Sequence, residues 1–335
     1  MNFDPGGVGQ SNGNFFGFPF SIAHSKLVLV SVPWDVTTSY SGGASKGPEI
    51  ILEASPQLDF YHPASNSAWQ KGIATAPPIQ NIRAESDKLR PFAKSVIAAL
   101  ETGDNPDADM VDRINQASSW LNQQVYDTCA SHINEGRIVG LVGGDHSTPY
   151  GLIKAISEKY PGIGVLQIDA HADLREAYEG FSHSHASIMY NVLQLQGLGS
   201  LTQAGIRDYS QREAELASAD PRVHLFDDRT LRTRKFCGEN WRNLALEIID
   251  TLPREVYVSF DIDGLQPSLC PNTGTPVPGG FSFEEAVYLI HLLRESGRRI
   301  VGFDVNEVSP GPHGDWDANV GARVLFELCC YTLAD

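Results

Sequence analysis

The chain has 335 residues, 41% of them hydrophobic, with 31 glycines and a formal net charge of −16. That length and apolar content suit one large α/β unit with an ample core. The negative field argues against a nucleic acid or an anionic membrane as partner and favours cationic small molecules and metal ions.

Five cysteines (Cys129, Cys237, Cys270, Cys329 and Cys330) lie scattered without CxxC spacing, which suits a reducing compartment rather than a disulfide framework. Met1–Ser25 lacks the basic start and apolar run of a secretion signal, and no stretch nears the roughly 20 apolar residues that cross a bilayer. The expectation is a cytoplasmic protein.

Residues 1–25 are rich in Gly, Asn and Phe and carry no helical or strand period. They read as an arm whose phenylalanines pack on the body or on a neighbouring subunit. Lys26–Val32 is a first buried strand, and Pro48 opens a helix over Glu49–Ala54. Residues 61–92 are punctuated by proline and read as irregular. Val111, Ile114, Trp120, Leu121, Val125 and Ile133 predict one long amphipathic helix, or a broken pair, over Ala108–Asn134. Arg137–Val142 is the next strand, followed by Gly143-Gly144-Asp145-His146-Ser147, where two glycines let the backbone approach a bound group closely. A helix over Tyr150–Tyr160 leads to the strand ending at Asp169.

Further along, Ser182–Leu195 reads as a helix, Ala204–Ile206 and Val223–Phe226 as short strands, and Trp241–Leu252 as a helix. The strand Glu255–Phe260 runs into Asp261-Ile262-Asp263. A loop rich in proline and glycine follows, and the Ser282-Phe-Glu-Glu285 start of the next helix has capping-box form. A last strand, Arg299–Phe303, leads to Glu307. Repeated strand-then-helix units with apolar strands indicate a parallel sheet covered on both faces, with ligands beyond the carboxyl ends of its strands.

Four strands end there in polar clusters: His146, then Asp169, His171 and Asp173, then Asp261 and Asp263, then Glu307. Alternate residues of an extended chain face one side, so each Asp-x-His-x-Asp or Asp-x-Asp run can aim at one spot. Four aspartates and two histidines exceed what one cation takes and suit two divalent ions sharing bridging carboxylates. The oxygen-rich set favours a hard metal such as Mn²⁺ over zinc. A solvated acidic rim is the plain alternative, but unneutralised carboxylates so close together oppose folding.

GGDHS (143–147), DAHAD (169–173), SFDID (259–263), TGTPVPGG (273–280) and FDVNEVSP (303–310) together resemble the motif set of the ureohydrolase family. That family contains arginase, agmatinase and related guanidino-hydrolases. The likeness runs from about residue 26 to the end, so residues 1–25 are expected to be an arm and 26–335 a single catalytic domain. The resemblance implies a three-layer α/β/α fold around an eight-stranded parallel sheet, two Mn²⁺ ions, and assembly as homotrimers or homohexamers.

It further implies one metal on His146, Asp169, Asp173 and Asp261 and another on Asp169, His171, Asp261 and Asp263, so that Asp169 and Asp261 bridge. Activated water attacks the guanidinium carbon, releasing urea and an amine. Asp173 relays a proton to the leaving nitrogen, and Glu307 accepts hydrogen bonds from the guanidinium. A proton-shuttling histidine is expected just after DAHAD. The SHAS spacing favours His185 for that role and leaves His183 at the rim of the substrate site.

The segment after Asp173 resembles the DLR-x-x-YEG pattern of agmatinases rather than the Asn- and Ser/Thr-bearing segment of arginases. Glu176 and Glu179 would repel a carboxylate and tolerate a cationic tail, which favours agmatine giving putrescine. Arg175 is the counter-indication, since it is able to pair with a guanidino-acid, although such an arginine is more often bound to a neighbouring glutamate. Arginine, a guanidino-acid, or guanidine itself (the last with Ni²⁺) are the alternative substrates. A non-catalytic family subunit is a further reading, but such proteins lose ligands and all six are present here.

Overall fold

The computed structural model describes residues 3–65, 67–312 and 314–334. Its strands are β1 (Leu27–Val32), β2 (Ile73–Thr75), β3 (Ile138–Gly143), β4 (Ile163–Ile168), β5 (Leu198–Ile206), β6 (Val223–Asp227), β7 (Glu255–Asp261) and β8 (Arg299–Asn306). They form one eight-stranded sheet in the order β2-β1-β3-β8-β7-β4-β5-β6, and every pairing is parallel. Strands β3, β4 and β7 are almost wholly buried along their length, as an apolar run covered on both faces must be.

The covering helices are α1 (Gly47–Ala54), α2 (Ile82–Glu101), α3 (Ala108–Asn134), α4 (Tyr150–Lys159), α5 (Ile188–Leu193), α6 (Gln211–Ala219), α7 (Asp228–Phe236), α8 (Trp241–Asp250), α9 (Phe283–Glu295) and α10 (Trp316–Leu333). Helices α2 to α5 pack into the core on one face, and α1 with α8 to α10 into the core on the other. The expected three-layer α/β/α architecture is what the chain adopts. Helix α3 spans the expected residues, capped by Asp107, whose carboxylate accepts the Asp109 N–H at 2.9 Å. Helix α9 starts with the capping box read at Ser282 and Glu285.

Three stretches differ from expectation. Residues 61–92 are not irregular throughout, because they contain β2 and the first half of α2, a 20-residue helix with Pro91 inside it. Proline removes one helical hydrogen bond. The row Ile82, Leu89, Ala93, Val96 and Ile97 is nonetheless buried in the core shared with α3, so packing outweighs that loss. The expected helix over Ser182–Leu195 begins only at Ile188, behind a short 3-10 turn at His185–Ser187. Helices α6 and α7 bury few apolar side chains, so their sequences carry little helical pattern.

The arm turns back on its own chain. Phe15 N–H donates to Thr75 Oγ1 at 2.9 Å and Phe16 N–H to Ser55 Oγ at 2.7 Å. Phe18 stacks on Trp69 with centroids 5.5 Å apart, and Phe16 meets Phe326 at 5.4 Å. Met1 and Asn2 lie outside the described residues.

Candidate metal centre

Four strands that are neighbours in the sheet, β3, β8, β7 and β4, end side by side. The loops that leave them carry the residues singled out from the sequence. Their convergence does not come from strand alternation. Strand β4 stops at Ile168, and Asp169–Asp173 is a bent loop in which Asp173 takes φ +53°. After β7, Ile262–Gly264 forms a 3-10 turn capped by the Asp261 side chain, which accepts the Asp263 N–H at 2.9 Å. The ligand residues thus meet because two turns fold them back, a geometry that spacing alone could not distinguish from an extended run.

The glycines of the first motif also have a different partner from the one expected. A Cβ on Gly144 would stand 1.8 Å from the Trp34 carbonyl oxygen, and one on Gly143 would stand 1.8 Å from Asn306 Oδ1. These glycines let β3 turn against its neighbours' backbone and side chains rather than against a bound group.

Two groups of ligand atoms result, one of His146, Asp169 and Asp261 and the other of Asp169, His171 and Asp263. Asp169 belongs to both. In the first, His146 Nδ1 lies 2.9 Å from Asp169 Oδ2, 3.2 Å from Asp173 Oδ2 and 3.2 Å from Asp261 Oδ2. In the second, His171 Nδ1 lies 3.1 Å from Asp263 Oδ2 and 3.6 Å from Asp169 Oδ1. The first group is buried, whereas His171 keeps 23% of its side-chain surface exposed. Of the two expected bridging carboxylates, Asp169 falls in both groups and Asp261 in the first.

The surroundings of His146 test whether a cation fits. Its Nε2 sits 2.9 Å from Ser259 Oγ, whose hydroxyl donates to Asp304 Oδ1 at 3.1 Å. That chain places the ring proton on Nε2 and turns the Nδ1 lone pair toward three carboxylate oxygens. Nδ1 is buried and makes no hydrogen bond of acceptable geometry. A lone pair facing three negative oxygens is repulsive unless a positive charge lies among them, so the donor set fits a divalent cation. Without one, protons take its place. Burial alone would depress the His146 imidazolium, but the carboxylates of Asp169, Asp173 and Asp261 outweigh it and hold its pKa well above the usual histidine value. Burial, reinforced by the charge of Asp169, pushes Asp173 up to about 7, and burial with the charges of Asp263 and Asp169 pushes Asp261 well up.

Glu307 follows β8 with φ +63°. Its Oε1 accepts the His146 backbone N–H at 2.9 Å, and its own N–H donates to Gly144 O at 2.8 Å. Burial, together with the charge of Asp145, raises its carboxyl pKa well above the glutamate range. Asp173, Glu179 and Glu307 are three of the five non-glycine residues with positive φ among those described. Such backbone costs about 1–3 kcal/mol at each position and persists only where surrounding structure imposes it.

Beside the ligand groups opens a cleft of about 150 Å³ lined by Ser39, His171, Asp173, Arg175, Tyr178, His185, Ala186, Asp208, Glu213 and Thr275. His185 is in its wall. Burial, then the neighbouring charges of His171, Arg90 and His146, lowers the His185 pKa to about 3. His183 is not in the wall; its ring packs 5.4 Å from that of Tyr150. Arg175 lies over the Tyr178 ring at 4.6 Å and 3.8 Å from Glu213. Glu179 is held at its edge by the Ser39 hydroxyl at 3.1 Å, and Glu176 is exposed, 3.4 Å from Arg212.

Several contributors carry no signal that reading along the chain could find. Ser259 and Asp304 lie within quoted motifs, but their part in orienting His146 depends on β7 and β8 being neighbours. Arg90, inside the unexpected helix α2, donates to Val36 O at 2.9 Å and Thr38 O at 2.5 Å. It thereby braces a loop whose Thr37 Oγ1 accepts the His185 N–H at 3.2 Å and donates to Asp145 at 3.3 Å. Nothing local marks such an arginine.

A family model described as the Arginase family matches residues 25–330. The chain is 31% identical over 296 residues to an N(1)-aminopropylagmatine ureohydrolase of Synechocystis sp., covering 87% of this chain and 83% of the other. It is 28% identical to an agmatinase of Bacillus subtilis, with 90% of each chain covered. Among solved structures, the agmatine ureohydrolase of Thermoplasma volcanium superposes with a TM-score of 0.73 at 23% identity, covering 96% of this chain and 95% of that one.

Proposed function

The chain belongs to the arginase family and is a metal-dependent ureohydrolase of agmatinase type; on that premise we propose that it hydrolyses agmatine to urea and putrescine with two Mn²⁺ ions. The observation that carries the metal-centre part is that the two oxygens of Asp169 face two separate ligand groups, and that His171 of the second and Asp173 beside the first line one cleft. His146, Asp169, Asp173 and Asp261 would hold one ion and Asp169, His171 and Asp263 the other. When bound, the pair would bring the pKa of a shared water toward neutrality.

The chain's own residues do the rest. Glu307 is aimed by the His146 N–H and accepts from the planar donor fork of the guanidinium. Hydrolysis requires a proton to reach the leaving nitrogen, and Asp173 is the carboxylate in the cleft wall suited to deliver it. His185 is the imidazole in the cleft wall and takes the proton-passing role on the strength of that position. Tyr178 and Ala186 give the cleft apolar surface that limits water beside these groups.

The choice of agmatine rests on charge. Arg175 is committed to Glu213 and the face of Tyr178, which disfavours a carboxylate-bearing tail. Asp208, 4.0 Å from His171 and with 70% of its side chain exposed, offers a carboxylate to a cationic one. It takes the part expected of Glu176 and Glu179, since neither glutamate lines the cleft. A longer cationic tail is the second reading, favoured by the aminopropylagmatine relative. Arginine, a guanidino-acid and guanidine with Ni²⁺ stand behind both.

Urea release should be measured across these compounds with Mn²⁺ and Ni²⁺ separately, and no urea from agmatine under either metal would remove the substrate assignment. We also propose a homotrimer or homohexamer, checked by light scattering. The five free cysteines accord with a reducing, cytoplasmic setting. Among the described residues no helix is long and apolar enough to cross a membrane.

A further inference from the structure

Beneath Asp169 lie two side chains to which the reaction gives no part. Gln167 on β4 and Gln203 on β5 are paired in register, and both are fully buried. Their flanking residues Leu166, Ile168 and Ala204 are also fully buried and apolar. A primary amide in such a place is costly unless its polar atoms are satisfied.

Gln203 Nε2 donates to Gln167 Oε1 at 2.6 Å and to Ala172 O at 2.7 Å. Gln167 Nε2 in turn donates to Asp169 Oδ2 at 2.7 Å and to His171 O at 3.2 Å. The far partners are two carbonyls and a carboxylate, which only accept, so the orientation of both amides is dictated rather than free to flip. Gln203 Oε1 is left without a partner. An acceptor is given up so that three of the four amide N–H bonds reach the Asp169–Asp173 loop and the fourth ties one amide to the other.

We propose that the Gln167–Gln203 amide pair is a positioning device that holds the Asp169 carboxylate in the one rotation able to serve both ligand groups. This inference rests on reading those groups as a metal centre. Each Asp169 oxygen has one donor from the protein: Oδ1 takes the His171 N–H at 2.6 Å, and Oδ2 takes Gln167. Two donors, one at each end, fix the plane of the carboxylate. Oδ2 is then left facing His146 Nδ1 at 2.9 Å and Oδ1 facing His171 Nδ1 at 3.6 Å. A carboxylate released from Gln167 can rotate to engage a single cation and abandon the other. The same amides tie down the carbonyls of His171 and Ala172, so they also hold the loop that carries the second group.

The test is titration of the metal-stripped protein with Mn²⁺ by calorimetry, alongside the melting temperature of each metal-free form. Gln167→Leu should weaken Mn²⁺ binding by about 10- to 100-fold, the scale seen when partners of metal ligands are removed. It should also separate the two binding events. Gln203→Met, which leaves Gln167 without its strap, should shift binding in the same direction by less. A purely structural role would lower the metal-free melting temperature and leave both Mn²⁺ dissociation constants of the folded protein unchanged.

Wild-type constants in Gln167→Leu would overturn the proposal; should that variant not fold, wild-type constants in Gln203→Met would do so. A wild-type chain that binds no Mn²⁺ would remove the metal-centre reading and this inference with it, an outcome distinct from the first.

Discussion

The aromatic corner and the acidic edge of the sheet are both buried and both assembled from distant parts of the chain, yet they are opposites in what completes them. At the corner, Phe3, Phe16, Phe18, Phe60, Trp69 and Phe326 meet ring against ring at centroid distances of 4.7 to 6.5 Å, and apolar burial with backbone hydrogen bonds to Thr75 and Ser55 stabilises it from within the chain. At the edge, three carboxylate oxygens crowd a histidine nitrogen that has no hydrogen bond. That region is complete only when positive charge enters it. One part of the fold is self-sufficient, and the other is a stability debt that a ligand settles.

The largest expected effect comes from breaking the edge at its shared point. Asp169→Asn should reduce turnover by more than about 10³-fold, the scale on which essential catalytic groups are lost. It should also abolish stoichiometric Mn²⁺ uptake and lower the melting temperature of the metal-free protein, since the Asp169 charge is there stabilised by His146 and His171. Full activity in that variant, assayed as urea release, would place the chemistry elsewhere.

Phe18→Ala is the matching lesion at the corner. Removing a fully buried ring should cost about 3–5 kcal/mol in denaturant unfolding. The kcat of the molecules that remain folded should not change, and a fall in kcat would show that the corner is coupled to the site.

Metal removal sharpens the contrast through pH. In the metal-free chain the folded-state pKa of Asp173 is about 7, above its unfolded value near 3.9. Between these values the folded form holds the extra proton, so stability falls as pH rises. His146 and His171, both raised well above the usual histidine value by their carboxylates despite the opposing effect of burial, add to the fall as pH climbs through the folded-state values. Asp169 is lowered despite its burial, by His146 and His171, and its contribution is lost only below the unfolded carboxylate value. Melting temperature should therefore drop between about pH 5 and about pH 8 without metal and flatten when Mn²⁺ is added. A metal-free curve that is flat or rises would contradict this account of the edge.

The smallest effect is expected at the mouth of the cleft. Arg175→Leu should change kcat/KM for agmatine by less than about threefold, because its partly exposed guanidinium stands 3.8 Å from Glu213, outside hydrogen-bond reach, and contributes little. It should not confer activity on arginine. A large gain with a carboxylate-bearing substrate would show that Arg175 governs the tail after all.

Much of this is legible along the chain. The apolar runs, the capping box at Ser282 and the residue types at positions 146, 169, 171, 173, 261 and 263 follow from composition and spacing, because strand burial and metal chemistry each demand particular side chains. The histidine assignment is half legible: SHAS spacing points to His185, and only the packing of His183 on Tyr150 takes the other imidazole out of the cleft wall. Helix α2 is obscured by Pro91, since a local rule cannot weigh the burial of five apolar side chains against one missing hydrogen bond.

By itself the sequence determined the architecture and the identity of the charged groups, since both depend on side-chain chemistry that each residue carries wherever it lies. The tertiary structure decided which carboxylate faces both groups, that turns rather than extended strands bring the ligands together, and that Ser259, Asp304, Gln167, Gln203 and Arg90 orient them. Those are relations between residues that become neighbours only when strands distant in the chain are laid side by side in the sheet.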